Sequence, residues 1–339
     1  MPGNSARGLR ARPGQYTARM DRGPELSVVL VNHNGAACLP AALDALATGT
    51  DSEQAEGIVV DSGSADGSWR DVESRWPAAR ALRFEDNIGF CAGCNRGARE
   101  ARGRLVAFVN FDGRVEPGWD VPLGEQLEDP TVSVATGLLL RPDGEEIEAA
   151  GLQIAPNMAT YGRQEGEPRS AAPSRRIDVA AASGALMMVR RDEFLALCGF
   201  YEPLFMYGEE ADLCLRVPGR VVLDPRSAIR HHIGHAAGPA RSTLRLYWPA
   251  RNRLVNAARH LPAGALARSV ATSAAFDLLT LAQVRRGDAA RAVARGWGQG
   301  LRAMRRERSA RSAAERRAAA ARLVPLRTAV AQQRRLGRA

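Results

Sequence analysis

Short apolar runs separated by amphipathic segments recur through the first third of this chain, and that alternation leaves few folds open. Residues 26–31, 58–61, 81–84 and 105–110 are apolar runs bounded by small and polar residues, the pattern of buried strands. Between them, residues 39–47, 68–76 and 92–101 carry the three-to-four-residue spacing of helices. Four strands joined by three helical crossovers predict a parallel, doubly wound α/β sheet. Open sheets of this kind bind ligands beyond the carboxyl ends of their strands. The expected binding edge is the set of loops 32–35, 62–66, 85–89 and 111–113, where small and polar residues cluster.

With 339 residues, 45% of them hydrophobic and 25% charged, the chain can bury a full core and carry an appendage. We divide it into a loose N-terminal segment (1–24), a main domain (25–260) and a basic helical C-terminal extension (261–339). The net charge of +10 comes wholly from arginine, because there is no lysine. Arginine pairs recur from Arg285 to Arg338, whereas acidic residues concentrate before position 215. These arginines could face anionic lipid, nucleic acid or simply solvent. Nucleic acid is disfavoured, since after Trp248 only Phe276 and Trp297 could stack on bases. No uninterrupted run of 18 apolar residues occurs, so no membrane-spanning segment is expected. The first 24 residues lack the apolar stretch of a secretory signal. Five scattered cysteines, with Cys91 and Cys94 as a lone C-x-x-C, read as reduced thiols of a cytoplasmic protein.

Within the binding edge, the segment Phe108-Val-Asn110-Phe-Asp112-Gly113 ends an apolar run in one carboxylate. Asp112 there suits a hard cation shared with a diphosphate, although strand-terminal Asp residues also cap turns. Asp61, in Val60-Asp61-Ser62-Gly63-Ser64-Ala65-Asp66-Gly67-Ser68, could accept a hydrogen bond from a base or ribose, or belong to an ordinary capped turn. Neither G-x-G-x-x-G nor a P-loop is present, which counts against dinucleotide oxidoreductases and P-loop NTPases.

In order along the chain, Ser27–Gly35, Val60–Ser68, Asn87-Ile-Gly89-Phe-Cys-Ala-Gly93-Cys-Asn95-Arg-Gly97, Asn110-Phe-Asp112 and Phe205-Met-Tyr-Gly-Glu209-Glu210-Ala-Asp212-Leu-Cys-Leu-Arg216 resemble the successive motifs of family 2 glycosyltransferases, with most likeness to the bacterial rhamnosyltransferase-like branch. The resemblance covers residues 25 to 260. It implies a GT-A fold, a Rossmann-like and mostly parallel sheet with flanking helices. It also implies inverting transfer of a hexose, rhamnose first among the candidates, from a dTDP- or UDP-linked donor. The implied acceptor is a glycan or polyprenyl-linked molecule of cell-envelope polysaccharide synthesis, and the implied place is the cytoplasm or the inner face of the plasma membrane. The resemblance carries a Mn²⁺ or Mg²⁺ ion to Asp112 with His231 as second ligand, and donor contacts to Asn34, Asp61, Asn87, Gly89, Asn95 and Asn110. It gives the general base to Glu210, with Glu209 as competitor. Three departures, Asn110 for the usual first Asp, Glu210 for Asp and Ala236 for Ser after His231-x-x-Gly234, leave open a catalytically inactive binding protein.

Glu209, Glu210 and Asp212 crowd one helix start, where mutual repulsion raises carboxyl pKa values and the helix dipole lowers them. The net direction is open at this level. Residues 141–176, rich in Pro, Gly, Glu and Arg, read as a long irregular segment on the acceptor side. Ser183-Gly184-Ala185 resembles the family's pocket-lining turn, and close packing of a strand accounts for it equally well. Trp248, Arg251 and Asn252 are expected to open a helix that docks the basic tail.

Overall fold

The computed structural model of the protein describes residues 23–52, 55–232, 242–284, 287–308, 311–325 and 328. Expectations for residues 1–22, for Gly234, His235 and Ala236, and for the last arginines lie outside these residues.

The N-terminal half alternates as expected: β1 (Leu26–Asn32), α1 (Leu39–Gly49), β2 (Glu56–Ser62), α2 (Val72–Arg75), β3 (Ala79–Phe84), α3 (Gly89–Glu100) and β4 (Leu105–Val109). All residues of β1, β2 and β4 are buried, which is why they read as continuous apolar runs. The helix expected over 68–76 is a 3₁₀ turn, Ser68–Asp71, followed by the single-turn α2, after which Trp76 turns inward onto Gly57. Helix α3 lies close on β1: a Cβ at Gly93 or Gly97 would fall within 2.7 or 2.3 Å of Val31 or Val29.

The sheet then turns mixed. After β4 come β5 (Gly113–Val115), α4 (Asp120–Leu127), β6 (Val132–Leu140), β7 (Ile147–Ala149), β8 (Leu152–Ile154), β9 (Thr160–Gly162), β10 (Ile177–Asp178), β11 (Leu186–Arg190), α5 (Arg191–Ala196), α6 (Glu209–Arg216) and β12 (Arg220–His231). The main path runs β10-β12-β6-β11-β4-β1-β2-β3; β4-β1-β2-β3 are mutually parallel and β11 is antiparallel to both neighbours. Chain order reverses between β1 and β4, which places the crevice at loops 32–35 and 110–113. Residues 141–176 contain β7, β8 and β9 rather than irregular chain alone, and β8 pairs with β9 apart from the main sheet.

Among the described residues four helices follow: α7 (Thr243–His260), α8 (Ala263–Val284), α9 (Gly287–Glu307) and α10 (Ala313–Ala321). Trp248, Arg251 and Asn252 lie inside α7 rather than at its start. Helix α9 is anchored to the main domain by Glu307, which accepts from Arg259 (2.8 Å) and from the Tyr201 hydroxyl (2.5 Å). Helix α8 is long and apolar enough to cross a membrane, by length and composition. A search for uninterrupted apolar residues misses it because Ser269, Thr272, Ser273, Asp277 and Thr280 punctuate the run.

Candidate active site

Three adjoining cavities follow the carboxyl ends of the strands. The first, about 50 Å³, lies among Val31, His33, Ser62, Asn87, Gly89 and Phe111. It shares Phe90, Asn110 and Met206 with a second of about 290 Å³, which also holds Asp112, Glu148, Ser183, Gly184, Glu209 and His231. The second shares Thr160, Tyr207, Glu210 and Arg245 with a third of about 320 Å³, walled by Tyr161, Pro249 and Phe276. The structure thus brings Asn110, Asp112, Glu209, Glu210 and His231 to one place.

Strand β4 delivers Asn110 and Asp112, and β12 ends at His231 against them through the pairing of His231 with Gly113. The imidazole is held from both sides. Its Nδ1 lies 2.9 and 3.0 Å from the two oxygens of Glu148, and its Nε2 lies 3.2 Å from Asp112 Oδ1 and 3.2 Å from the Asn110 amide nitrogen. The Asp112 contact is a charge contact, not a well-aligned hydrogen bond, since Oδ1 is buried and has no hydrogen-bond donor. Burial works against a charged imidazole, but Asp112 and Glu148 outweigh it and hold His231 up at about 10. A carboxylate on one ring nitrogen with a carboxylate oxygen facing the other is an arrangement that orients a metal-binding histidine. The unpartnered Asp112 oxygen and the imidazole fit a divalent cation, which would take the place of the proton that the two carboxylates otherwise hold on the ring. Among the described residues no three His, Cys, Asp or Glu side chains converge as a closed site, so further ligands would come from substrate or water.

The three acids of the 209–212 cluster part ways. Glu209 is buried with Oε2 unpartnered, and burial first, then the neighbouring Glu210 charge, pushes its carboxyl well above the usual range. Glu210 lies between the second and third cavities, accepting from the Thr160 hydroxyl (2.8 Å) and the Gly208 amide (3.1 Å). Asp212 is fully buried away from the cavities; despite that burial, His260, Arg216 and Arg259 at 2.8–2.9 Å hold its carboxyl far below the usual range. It is a structural anchor. Asp212→Asn is expected to cost about 3–5 kcal/mol, the usual loss when one partner of a buried charge cluster is removed, read as a lower denaturation midpoint. In the parent protein, whose folded Asp212 pKa is depressed, this contribution is complete above the unfolded value of about 4 and fades as pH falls below it.

Helix α7 sets the loop that precedes Glu209. Phe205, Tyr207 and Gly208 all have positive φ (63°, 67° and 88°), and the Asn252 amide donates to the carbonyls of Leu204, Met206 and Tyr207 at 2.8–2.9 Å. Asn256 donates to Gly208 O at 2.8 Å, and Phe205 stacks on Trp248 with centroids 4.7 Å apart. Such a strained loop persists only when its surroundings over-determine it.

The remaining sequence candidates divide. Asn87 and Gly89 border the first cavity; Gly89 has φ +81°, and a Cβ there would lie 2.5 Å from Phe205. Asn34 stands at the crevice, tied to Ser64 and Ala65 at 2.9 Å. Asp61 is fully buried, accepting from the Asn32 amide at 2.8 Å. Asn95 does not join the others: its amide is spent on Phe200 N and O (both 2.8 Å) and Glu202 (3.0 Å), so it fixes the chain after α5 instead of facing a ligand. Glu148, Thr160 and Arg245 were not singled out from the sequence. For Glu148 a signal existed, since it alternates with the buried Ile147 and Ala149 in a short strand.

Residues 27–195 match the family described as Glycosyl transferase family 2. The chain carries a family 2 glycosyltransferase domain. O-antigen biosynthesis protein RfbC of Myxococcus xanthus is 26% identical over 249 residues, which are 68% of this chain but only 19% of that protein, so the chain spans about a fifth of its relative. In fold, the glycosyltransferase domain is similar to Staphylococcus aureus TarS 1-349 in complex with UDP-GlcNAc (TM-score 0.55, 16% identity, 83% of this chain and 81% of that one). It is also similar to GalNAc-T7 with UDP, GalNAc and Mn²⁺ (0.54, 17%, 68% and 48%) and to mannosyltransferase PcManGT of Pyrobaculum calidifontis with GDP-Man and Mn²⁺ (0.50, 19%, 89% and 87%). At these identities the likeness establishes the GT-A glycosyltransferase fold.

Proposed function

We propose that this domain transfers a sugar, with inversion, from a nucleoside diphosphate donor to a hydroxyl of a cell-envelope glycan or lipid-linked acceptor. The observation that carries the reading is the convergence of Asp112, His231 and Glu210 on adjoining cavities at the strand ends. The O-antigen relative supports an envelope acceptor, and the fold neighbours bound to UDP, GDP-Man or UDP-GlcNAc support a nucleotide-sugar donor. Asn87, Gly89 and Asn110, which border the first cavity, would meet the nucleotide, with Asn34 in the adjoining loop and the buried Asp61 supporting that loop through Asn32 and Ser64.

Asp112 and His231 would hold a divalent cation, Mn²⁺ being favoured by the imidazole. When bound, that ion neutralises the charge that collects on the departing diphosphate. Glu148 keeps the His231 ring turned toward Asp112. Glu210 takes the acceptor hydroxyl's proton as its oxygen bonds to the anomeric carbon and the bond to the diphosphate breaks. Burial and the Glu210 charge favour the protonated form of Glu209, which leaves the base role to its neighbour. The acceptor enters through the third cavity, beside β8 and β9. Exposed arginines of the C-terminal helices favour work at an anionic membrane surface.

A donor screen tests this. Purified protein with Mn²⁺ or Mg²⁺ and a panel of nucleoside diphosphate sugars should release nucleoside diphosphate from one donor class, with dTDP-rhamnose expected first and UDP-hexoses next. Metal-dependent nucleotide binding with no turnover on any donor would instead establish the inactive binding protein.

A further inference from the structure

Helix α8 is inside out. Its buried residues are polar, Ser269, Ser273 and Asp277 at successive four-residue steps, while its exposed positions include Ala267, Ala271, Ala275, Leu278, Leu279 and Ala282. Leu278 is 68% and Leu279 60% exposed. In a water-facing helix the polar stripe points outward. Here it is pinned inward: Asp277 binds Arg253 at 2.5 Å and the Trp297 indole nitrogen at 2.7 Å, so the helix cannot roll to hide its leucines without breaking a buried ion pair. The neighbouring helices also expose large apolar side chains. Of the five large apolar side chains exposed among the described residues, four are Leu244 of α7, Leu278 and Leu279 of α8 and Leu301 of α9.

We propose that the outer face of α8 lies in the interface of an anionic lipid bilayer, parallel to its surface. An apolar face on helices that also carry exposed Arg268, Arg291, Arg295 and Arg302 matches the make-up of interfacial helices, in which leucines enter the acyl boundary and arginines meet anionic head groups. The excess of arginine on these helices opposes a second copy of the chain packing against them, because self-association would bring like charges together. Spanning is disfavoured by the Asp277 ion pair, which fixes the helix along α7 and α9. The inner face of α8 contributes Phe276, Asp277 and Thr280 to the third cavity, which reaches Glu210. A bilayer on the outer face thus lies about one helix diameter, about 10 Å, from the cavity that leads to the base. The bilayer assignment stands on the helix itself; this route for a lipid-linked acceptor rests on the glycosyltransfer reading above.

The test uses the full chain and its Leu278→Asp/Leu279→Asp variant, with vesicles of phosphatidylcholine alone or mixed with phosphatidylglycerol. The parent should float with the mixed vesicles, and the variant should partition at least tenfold more weakly with its thermal midpoint within a few degrees of the parent's. Salt should weaken the parent's binding without abolishing it, because the leucines are insensitive to screening. Equal partitioning of parent and variant overturns the proposal, as does a parent that binds no vesicle and is dimeric by light scattering while the variant is monomeric. Donor hydrolysis, read in parallel on both proteins without vesicles, reports the glycosyltransfer reading separately.

Discussion

Glu210→Gln is expected to lower turnover at least about a hundredfold while leaving donor binding intact, the usual scale for loss of a general base. The argument rests on the difference between two adjacent acids. Glu209 is buried, and burial together with the Glu210 charge raises its carboxyl well above the usual range and so favours its protonated form, which cannot accept another proton. Glu210 is met by the Thr160 hydroxyl and the Gly208 amide, which fix its carboxylate in place, and it borders the cavity through which an acceptor would enter. Glutamine keeps the size and one acceptor oxygen but cannot take a proton. Steady-state kinetics with the donor found by screening, alongside nucleotide titration, separates the two effects. A larger loss in Glu209→Gln would move the base by one residue and imply that substrate binding reverses which acid is charged.

The parts of this fold that were legible in the sequence are those whose signal is local. The strands β1, β2 and β4 are bounded within two residues because a parallel strand buried on both faces shows a mainly apolar run, and the partly buried edge strand β3 is bounded as closely by Ala81 and Leu82 set between arginines. The helical segment expected over 68–76 ends where the spacing predicts, within one residue, but its first turn is 3₁₀, a distinction that apolar spacing alone does not carry. The core strand β6 and the small strands β7 to β9 went unassigned, since Gly and Pro punctuation around them resembles loop chemistry. The site follows the same rule. Asp112, His231 and the 209–210 pair stand out as chemical types at conspicuous places, whereas Glu148 and Thr160 acquire meaning only when β7 and β9 fold back across the crevice. Asn95 shows the opposite failure: a motif position suggested a ligand contact, but its neighbours Gly93 and Gly97 are there for helix–sheet contact and its amide is spent on Phe200 and Glu202. The divergence of Glu209 and Asp212, three residues apart on one helix, was beyond any pattern. Arg259 and His260 arrive from α7, nearly fifty residues later, to stabilise one charge, while among the described residues no cation forms an ion pair with the other.

Asp112→Asn is expected to abolish transfer, a loss of about a thousandfold or more, and to weaken nucleoside diphosphate binding in the presence of Mn²⁺ without unfolding the protein. Several kcal/mol of charge stabilisation at the leaving group corresponds to that factor. The substitution is isosteric, and Oδ1, the atom at stake, has no hydrogen-bond donor to lose. What it removes is the charge on the one carboxylate that β4 delivers to the crevice; Asn110, two residues earlier, offers only an amide. His231 would then face a neutral group on its Nε2 side, leaving a donor set of one imidazole and no anionic oxygen for a divalent ion that prefers oxygen ligands. Nucleotide titration with and without Mn²⁺ reads this without any turnover: the parent should bind more tightly with the ion, and the variant should show little difference. A variant that keeps both full activity and the Mn²⁺ enhancement would remove Asp112 from the metal site, and with it the proposal that this crevice stabilises its leaving group through a cation.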